Sequence, residues 1–381
     1  MKRFSVKLIL AATVLLPLSG TMLRAETAKS WLDTIRHHRT LISTVPANGD
    51  LNPYGVFVAP VTAGRIQKDD VLISNFNGLT NLQGTGVTIV DFNPASKKLS
   101  TFAVLPQHLD KCPGGIGLST ALTMLKSGWV IVGSAPSTDG TTRTLGAGCL
   151  IVLDATGNLV DVWANSDIRC PWGNMAVVDG GNTATLFVSM SGFDVPGPQV
   201  RDPQTGYPVT VRKATVLRMD LSIPTGRAPS ILHQTVIANG FGQRSDRDVF
   251  LVGPTGLAFG ANDTLYVSDA LGNQIVAIDE ASHRTTSAGT GRTVSKEGLL
   301  RRPLAMIFAP NGNLLVLNAK NGQVVEINPV NGEQLSAQWV DNNPAQSPPG
   351  NGDLFGLAMK PDGRGFYYVE DDVNMLVEAT Q

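Results

Sequence analysis

Two stretches of this chain repeat each other in register, and this repeat constrains the fold more than any other feature. Residues 254–279 (PTGLAFGANDTLYVSDALGNQIVAID) align without a gap with residues 303–328 (PLAMIFAPNGNLLVLNAKNGQVVEIN). Both stretches alternate short apolar strands with turns rich in Gly, Asn and Asp. A repeat of this length and pattern is typical of one blade of a β-propeller. We therefore expect a ring of such blades.

The same template predicts four further repeats, which makes six blades in total. They open at Pro53, Thr120, Pro171 and Phe355. The sixth repeat reaches the last residue, Gln381, and leaves no residues for a fourth strand. We expect residues 39–45 (RTLISTV) to supply that strand, because a closed ring has no open sheet edges. The predicted fold is all-β, a six-bladed β-propeller closed by an N-terminal strand that completes the last blade.

The first 25 residues have the pattern of an export signal. Lys2, Arg3 and Lys7 precede an apolar stretch, residues 8–18, that is too short for a membrane span. An uncleaved anchor is the alternative, because Leu23 is a poor residue for the −3 position of a cleavage site. We predict a periplasmic or secreted protein that consists of a signal peptide (residues 1–25), a short helical segment (residues 26–38) and the propeller (residues 39–381).

Composition restricts the classes of partner more than it restricts the possible activities. The chain has 40 glycines, 23 prolines and a formal net charge of −1. The glycines and prolines fit a turn-rich β protein, and no basic excess is present to displace counterions from a nucleic acid. We expect a small molecule or an extracytoplasmic protein as partner, no nucleic acid, and no membrane span in the mature chain. The sequence requires no cofactor.

Three cysteines suit an exported protein with one disulfide bond. Cys112 and Cys170 each precede a proline, in CPGG and CPWG, and each lies just ahead of the first strand of consecutive repeats. We therefore predict a disulfide bond between Cys112 and Cys170. Cys149 lies in an apolar strand (CLIVLD) and is expected to be a small buried thiol.

The long loops gather on one face of the predicted ring. Connections between first and second strands are short, as in residues 310–312 (PNG). Loops between second and third strands, such as residues 191–213, and loops between blades, such as residues 239–252, are long. Both long types emerge on the same face, which we call the long-loop face. Insertions on one face of a repeat array usually mark the binding face, so we expect the ligand there.

Aromatic residues form one group of candidate ligand-binding residues at the channel mouth, where the inner strands begin. Tyr54, Trp172 and Phe355 occupy one equivalent position in three blades. Converging aromatic rings on a rigid scaffold can stack on a sugar, a flat ring or a partner side chain. The alternative is that these rings plug the channel and pack between the blades.

Charged residues form a second group, on the rim. Arg244, Asp246 and Arg247 belong to the densest charge cluster of the long-loop face. Guanidinium groups there could hold a carboxylate or phosphate in a bidentate manner, or could simply pair with neighbouring acids in solvent. Further arginines are expected on the same side: Arg143, Arg201, Arg212, Arg292, Arg301 and Arg302.

Residues 254–275 resemble a blade of the NHL-repeat family. The resemblance is carried by PTGLAF (residues 254–259), LYVSD (residues 265–269) and NQI (residues 273–275). NHL-like rings serve as ligand- or protein-binding modules, which is the function we expect. Similar folds also occur in gluconolactonase-type lactonases, strictosidine synthase-like proteins and streptogramin lyases. The resemblance therefore implies an alternative, a divalent-metal-dependent lactonase, hydrolase or lyase with its site at the channel mouth.

The enzymatic alternative implies Ca²⁺ or another divalent cation held by oxygen ligands. By the same resemblance, lactonases hold the cation with Glu, Asn and Asp residues, but here the inner-strand starts carry no carboxylate. The candidate ligands are four residues at the ends of second strands: Asn75, Asp269, Asn318 and Asp371. Alternatively, each of them caps its own loop. A lyase would need a histidine base near a carboxylate, and none of the five histidines lies on a predicted inner strand.

Overall fold

The computed structural model describes residue 1 and residues 30–341, 343–352 and 354–381. Residues 2–25 of the predicted signal peptide therefore lie outside the described residues, as do residues 26–29 of the predicted helical segment. Within the described ranges, no helix has the length and apolar character needed to cross a membrane.

Six antiparallel sheets form the predicted six-bladed ring. Strand β1 (His37–Ser43) comes first in the chain. Blade 1 contains β2 (Leu51–Val58), β3 (Val71–Asn77), β4 (Thr88–Asn93) and β5 (Lys98–Val104). Blade 2 contains β6 (Leu118–Met124), β7 (Val130–Ser134), β8 (Cys149–Leu153) and β9 (Leu159–Trp163). Blade 3 contains β10 (Ala176–Asp179), β11 (Thr183–Met190), β12 (Val211–Ser222), β13 (Ser230–Ser245) and β14 (Leu251–Val252).

The second half of the ring has the same plan. Blade 4 contains β15 (Pro254–Gly260), β16 (Thr264–Asp269), β17 (Gln274–Ile278) and β18 (Arg292–Lys296). Blade 5 contains β19 (Pro303–Phe308), β20 (Leu314–Asn318), β21 (Gln323–Ile327) and β22 (Gln334–Trp339). Blade 6 contains β23 (Leu354–Met359), β24 (Gly365–Glu370) and β25 (Met375–Thr380). Two 3₁₀ turns, Leu32–Thr34 and Thr142–Thr144, complete the described elements.

The N-terminal strand closes the ring as the sequence predicts. Strand β1 is the outermost strand of blade 6 and pairs antiparallel with β25, with Thr40 opposite Val377. The strand begins at His37, two residues before the predicted start of the propeller. In the predicted helical segment, the described residues form the 3₁₀ turn Leu32–Thr34 and the first two residues of β1. Both ends of the chain are therefore held in one sheet, and that sheet has its full set of strands.

A buried carboxylate fixes the segment that precedes β1. Glu326 on β21 is fully buried and accepts hydrogen bonds from the Ser30 hydroxyl at 2.7 Å and the Leu32 amide at 2.6 Å. Burial alone would raise the pKa of Glu326, but these bonds and the amide groups of Asn311 and Asn313 lower it overall. Apolar side chains of the segment pack between blades 5 and 6. The N-terminal segment is therefore part of the folded ring.

Neighbouring blades approach closely around the channel, and the sequence accommodates this with small residues. The residue after each inner-strand start is small in every blade: Gly55, Ala121, Gly173, Gly256, Ala305 and Gly356. A Cβ atom added at Gly173 would lie 1.5 Å from the carbonyl oxygen of Thr255 in the next blade. Larger side chains at this position would therefore force the blades apart.

At three of these contacts, a serine hydroxyl links one blade to the next. The Ser268 hydroxyl accepts from the Gly256 amide of its own blade at 2.6 Å and donates to the Leu304 carbonyl of blade 5 at 2.7 Å. Ser74 and Ser189 make the same two bonds at the junctions between blades 1 and 2 and between blades 3 and 4. Buried backbone groups at the inner-strand edges are thus satisfied by side chains.

The predicted disulfide bond is wrong in one partner. Cys112 is bonded to Cys149, with 5.6 Å between their Cα atoms, and Cys170 is a free, fully buried thiol. Cys112 and Cys149 both belong to the apolar cluster between blades 1 and 2, whereas Cys170 packs in the central cluster of the channel. Burial raises the pKa of the Cys170 thiol to about 12, so this thiol is unreactive in the folded protein.

Candidate functional site

The aromatic residues at the channel mouth form a plug. Tyr54, Trp172 and Phe355 are each at most 1% exposed. The Tyr54 and Phe355 rings stack with 3.7 Å between their centroids, and Phe76 and Phe250 pack against the same group. The sequence allowed two interpretations, a ligand-stacking surface or a plug packed between the blades, and the structure shows the plug. These three side chains close the channel on the long-loop face and offer no surface to a ligand.

The opposite end of the channel is open. A cavity of about 360 Å³ is lined there by the later residues of the inner strands, among them Val58, Phe259 and Phe308. The Asn174 side chain lies at its wall and donates to the Leu257 carbonyl at 2.8 Å. The sequence analysis did not predict this cavity, because it placed all elaboration on the long-loop face.

Two of the four candidate metal ligands, Asp269 and Asn318, use their side-chain oxygens in hydrogen bonds with nearby loops. Asp269 accepts from the Gly272 amide at 3.0 Å and from the Gln274 side chain at 2.9 Å. Asn318 accepts from the Arg301 amide and donates to the Leu299 carbonyl, both at 2.9 Å. The bonds of Asp269 fit the loop-capping alternative, whereas Asn318 holds the loop that precedes β19.

The remaining two candidates differ from each other. Asn75 is fully buried and donates to the Thr44 carbonyl at 3.2 Å. Asp371 lines a polar pocket on the long-loop face. Among the described residues, no group of three or more His, Cys, Asp or Glu side chains could hold a metal ion by itself.

The predicted charge cluster is built on a tight loop, residues 246–250. The Asp246 carboxylate accepts from the amides of Asp248 at 3.0 Å and Val249 at 3.3 Å, and the Asp246 amide donates to the Phe250 carbonyl at 2.9 Å. Phe250 has a positive φ of 62°, which turns its ring down into the plug. The loop therefore fixes the plug and the rim charges together.

Arg302 is the cation that pairs with this loop. Its Nη2 lies 3.0 Å from Oδ2 of Asp246, and the two side chains are 9% and 12% exposed. Arg302 also has a positive φ of 59°, and its amide donates to the Asn273 side chain at 2.9 Å. Nη1 of Arg302 is buried and has no hydrogen-bond partner among the described residues. The guanidinium group is thus held in place by Asp246, with one buried donor nitrogen that has no partner among the described residues.

Two further cations lie beside Arg302. The Arg244 guanidinium group is half-buried and stacks on the exposed Tyr207 ring, 4.6 Å from the ring centroid. Burial, together with the positive charge of Arg302, lowers the pKa of Arg244. Burial and the positive charge of Arg302 also lower the pKa of Lys320. Arg244, Arg302 and Lys320 therefore form one site, which we call the cationic cluster, with Asp246 as its paired carboxylate.

The other rim arginines do not belong to the cationic cluster. Arg247 is exposed, and among the described residues its one bond is from the Gln83 side chain to its backbone carbonyl, at 3.3 Å. Arg143 pairs with Asp139. Arg292 was expected on the long-loop face, but it begins β18 and pairs with Asp279, which follows β17, at the opposite end of blade 4. Arg143 and Arg292 therefore form solvated ion pairs, which was the alternative interpretation of the rim arginines.

A polar pocket lies next to the cationic cluster on the same face. It has a volume of about 270 Å³ and is lined mainly by amide and carboxylate side chains: Asn52, Asn77, Asn81, Gln83, Asp248, Asn351, Asp371, Asp372 and Asn374. The pocket and the cationic cluster share the loop of residues 246–250, because Asp246 pairs with Arg302 and Asp248 lines the pocket.

No protein-family model and no curated protein sequence matches the chain significantly. Solved structures match its fold. A gluconolactonase from Xanthomonas campestris gives a TM-score of 0.54 at 13% identity over 91% of this chain and 89% of its own. A luciferin-regenerating enzyme gives 0.52 at 13% identity over 89% and 94%. A calcium-binding regucalcin from Agrobacterium tumefaciens gives 0.50 at 12% identity over 90% and 93%.

Identities this low show a shared fold and leave the activity open. The chain is a six-bladed β-propeller related in architecture to gluconolactonase and regucalcin.

Proposed function

We propose that this protein is an exported binding module that holds a small anionic ligand on its long-loop face, at the cationic cluster. The ligand class is a carboxylate or phosphate compound. The observation that carries the proposal is the charge balance of the cluster: three cations, Arg244, Arg302 and Lys320, have two carboxylates near them, of which Asp246 is paired with Arg302 and Asp248 acts on Lys320. The disulfide bond between Cys112 and Cys149 supports an extracytoplasmic location.

The charge imbalance has an energetic cost that an anion would offset. Burial lowers the pKa of both Arg244 and Lys320, and the charge of Arg302 lowers both further, so the cluster disfavours its own positive charges. Asp246 is already paired with Arg302 and bonded to two backbone amides. An incoming carboxylate or phosphate would supply the missing negative charge in a partly desolvated site.

The donor geometry supports an oxygen-rich anion. Arg302 is fixed by its own backbone bonds and by Asp246, and its Nη1 has no partner among the described residues. Arg244 is held against Tyr207, so its guanidinium plane has a defined orientation. Planar guanidinium groups bind carboxylate and phosphate oxygens in pairs, and pre-oriented groups lose little side-chain entropy on binding.

The enzymatic alternative rests on the fold. The similar structures include a gluconolactonase and a luciferin-regenerating enzyme, at 13% identity each. In this chain, the predicted ligands Asp269 and Asn318 use their side-chain oxygens in hydrogen bonds with nearby loops. The aromatic plug also closes the channel mouth where that site was expected. A binding role therefore agrees better with the side chains present.

Calorimetric titration tests the proposal with two probes, inorganic phosphate and citrate, at constant ionic strength. We expect one saturable site per chain for at least one probe, and the comparison shows whether phosphate or carboxylate chemistry is preferred. Arg244→Gln should weaken binding by about 10-fold or more, as expected for the loss of one charge-assisted hydrogen bond. Arg247→Gln is the matched control, because it removes the same charge from an exposed side chain outside the cluster.

Two results would contradict the proposal. One is the absence of saturable binding for both probes. The other is an equal loss of affinity in Arg244→Gln and Arg247→Gln, which would indicate general electrostatic attraction by the rim.

A further inference from the structure

The polar pocket presents side-chain oxygens that lack donors. Asn77 is 3% exposed, and its Oδ1 has no hydrogen-bond partner among the described residues. The Oδ1 atom of Asn351 and the Oε1 atom of Gln83 are buried and unpartnered in the same sense. All three residues line the pocket. Buried acceptors without donors are rare in folded proteins and call for an explanation.

The orientation of these amides is set by their nitrogen atoms. Nδ2 of Asn77 donates to the Asn81 side chain at 2.8 Å, and Nδ2 of Asn351 donates to the Asp248 carboxylate at 3.4 Å. Nε2 of Gln83 donates to the Arg247 carbonyl at 3.3 Å. Turning any of these amides over would break its bond. The oxygens are therefore the atoms left for a ligand.

Charge selects the kind of ligand. The described lining residues include Asp248, Asp371 and Asp372 and contain no Lys, Arg or His. A pocket that presents carboxylates beside amide oxygens without donors matches a hard cation, because such cations take oxygen ligands of both types. We propose that this pocket is a calcium site, with Asn77, Gln83, Asn351, Asp248 and Asp372 as the residues that hold the ion directly or through water.

Calcium fits the pocket better than magnesium does. Ca²⁺ accepts six to eight oxygen ligands in irregular geometry, whereas Mg²⁺ needs a near-ideal octahedron and gives up its water reluctantly. The ligands here come from separate loops of blades 1, 3 and 6 and from the loop between blades 5 and 6. Few carboxylates and ligands on several loops give a weak site, with a dissociation constant on the order of 10⁻⁴ to 10⁻³ M.

This site differs from the predicted metal set and from the cationic cluster. It shares only Asp371 with the predicted set, and none of its lining residues belongs to the cationic cluster. Because the ion would bridge three blades, its binding should stabilise the long-loop face. Asp248 also acts on Lys320, so calcium binding is separated from anion binding by variants of Gln83 and Asp372, which do not.

The test is titration of chelator-treated full-length protein with CaCl₂, and separately with MgCl₂, by calorimetry and thermal unfolding at constant ionic strength. We expect one calcium ion per chain and a melting temperature that rises with CaCl₂ more than with MgCl₂. Asp372→Asn removes one charge from an exposed ligand and should weaken calcium binding about 10-fold. Asp362→Asn is the matched control, because Asp362 is an exposed carboxylate in the 361–363 turn on the opposite face.

Gln83→Ala provides a second variant on a different loop and should also weaken calcium binding, while citrate or phosphate binding stays within about 2-fold of the wild-type value. The proposal is overturned if calcium does not bind at 10 mM CaCl₂. It is also overturned if Asp372→Asn and Asp362→Asn bind calcium equally, or if MgCl₂ stabilises the protein as much as CaCl₂.

Discussion

Arg302 and Asp246 form a nearly buried ion pair that joins the start of blade 5 to the loop following β13, with 3.0 Å between Nη2 and Oδ2. The same loop places Phe250 in the aromatic plug. The rim charges and the closed channel mouth therefore depend on one short segment, residues 246–250. A ligand at the cationic cluster would contact a surface whose position is set by the core.

Asp246→Asn separates the charge of this carboxylate from its role in the loop. The asparagine oxygen can still accept from the amides of Asp248 and Val249, but it cannot neutralise Arg302. We expect the free energy of unfolding to fall by about 2–4 kcal/mol, because a buried cation loses its partner. We also expect tighter binding of phosphate or citrate, since an internal competitor is removed. Urea denaturation with and without the probe measures both effects, and unchanged affinity would contradict the proposed competition.

Lys320 predicts a pH dependence of anion binding. Burial and the neighbouring Arg302 lower the pKa of Lys320 in the free protein, so this lysine loses its proton at a lower pH than an ordinary lysine. An anion favours the protonated form, so affinity should fall as pH rises through the lowered pKa, and binding should take up protons there. Calorimetry in buffers of different ionisation enthalpy measures this uptake. Lys320→Arg should abolish it while retaining binding, and uptake that persists in this variant would exclude Lys320 as its source.

The architecture could be predicted because its signals are local or repeated. Strand periodicity and turn residues recur in each blade, and the missing fourth strand of the last repeat required an N-terminal donor. The structure confirms that donor in β1, with Thr40 opposite Val377. The fifth strand of blade 3 was not predicted, because β14 has only two residues and lies in a stretch that was interpreted as a loop.

Ser268→Ala tests how the blades are joined. The Ser268 hydroxyl is fully buried and links the Gly256 amide to the Leu304 carbonyl of the next blade. Removing it leaves one buried donor and one buried acceptor unsatisfied, so we expect the free energy of unfolding to fall by about 1–3 kcal/mol. Ser166→Ala, at an exposed position, should change it by less than about 0.5 kcal/mol. Equal effects of the two substitutions in urea denaturation would argue against the proposed role of Ser268.

Peptide mapping under non-reducing conditions checks the disulfide bond. We expect a peptide pair that contains Cys112 and Cys149, and a Cys170 that is alkylated only after unfolding, because it is buried and its pKa is raised to about 12. Replacing both bonded cysteines by alanine opens a loop of 37 residues and should cost about 4 kcal/mol on the chain-entropy model. A linked Cys112–Cys170 pair would instead restore the pairing expected from the sequence.

The candidate site was predicted only in part. The cluster at residues 244–248 stood out in the sequence, but charge density alone did not show that Arg247 would be exposed and Arg302 paired. A signal was present in the repeat: Arg302 and Lys320 lie where the preceding blade has Gly253 and Leu271. These departures from an otherwise matched repeat mark the residues that the fold itself does not require.

The aromatic plug and the disulfide pairing show what a single sequence cannot reveal. The equivalent position of Tyr54, Trp172 and Phe355 was evident, but the covering ring of Phe250 comes from a distant loop with a positive φ. Likewise, the short contexts CPGG and CPWG made Cys112 and Cys170 look alike, although their side chains belong to different apolar clusters. The direction of each side chain and its packing against residues distant in sequence determine both the plug and the disulfide pairing.

The most direct test of anion binding at the cationic cluster is a crystal structure of the full-length protein grown with selenate, with anomalous diffraction recorded at the selenium edge. We predict an anomalous peak with selenate oxygens about 3 Å from the Arg244 guanidinium group and the Lys320 ammonium group. Crystals of Arg244→Gln under the same conditions should lose that peak. A cluster without selenate in the wild-type protein, or a peak retained in Arg244→Gln, would contradict the account.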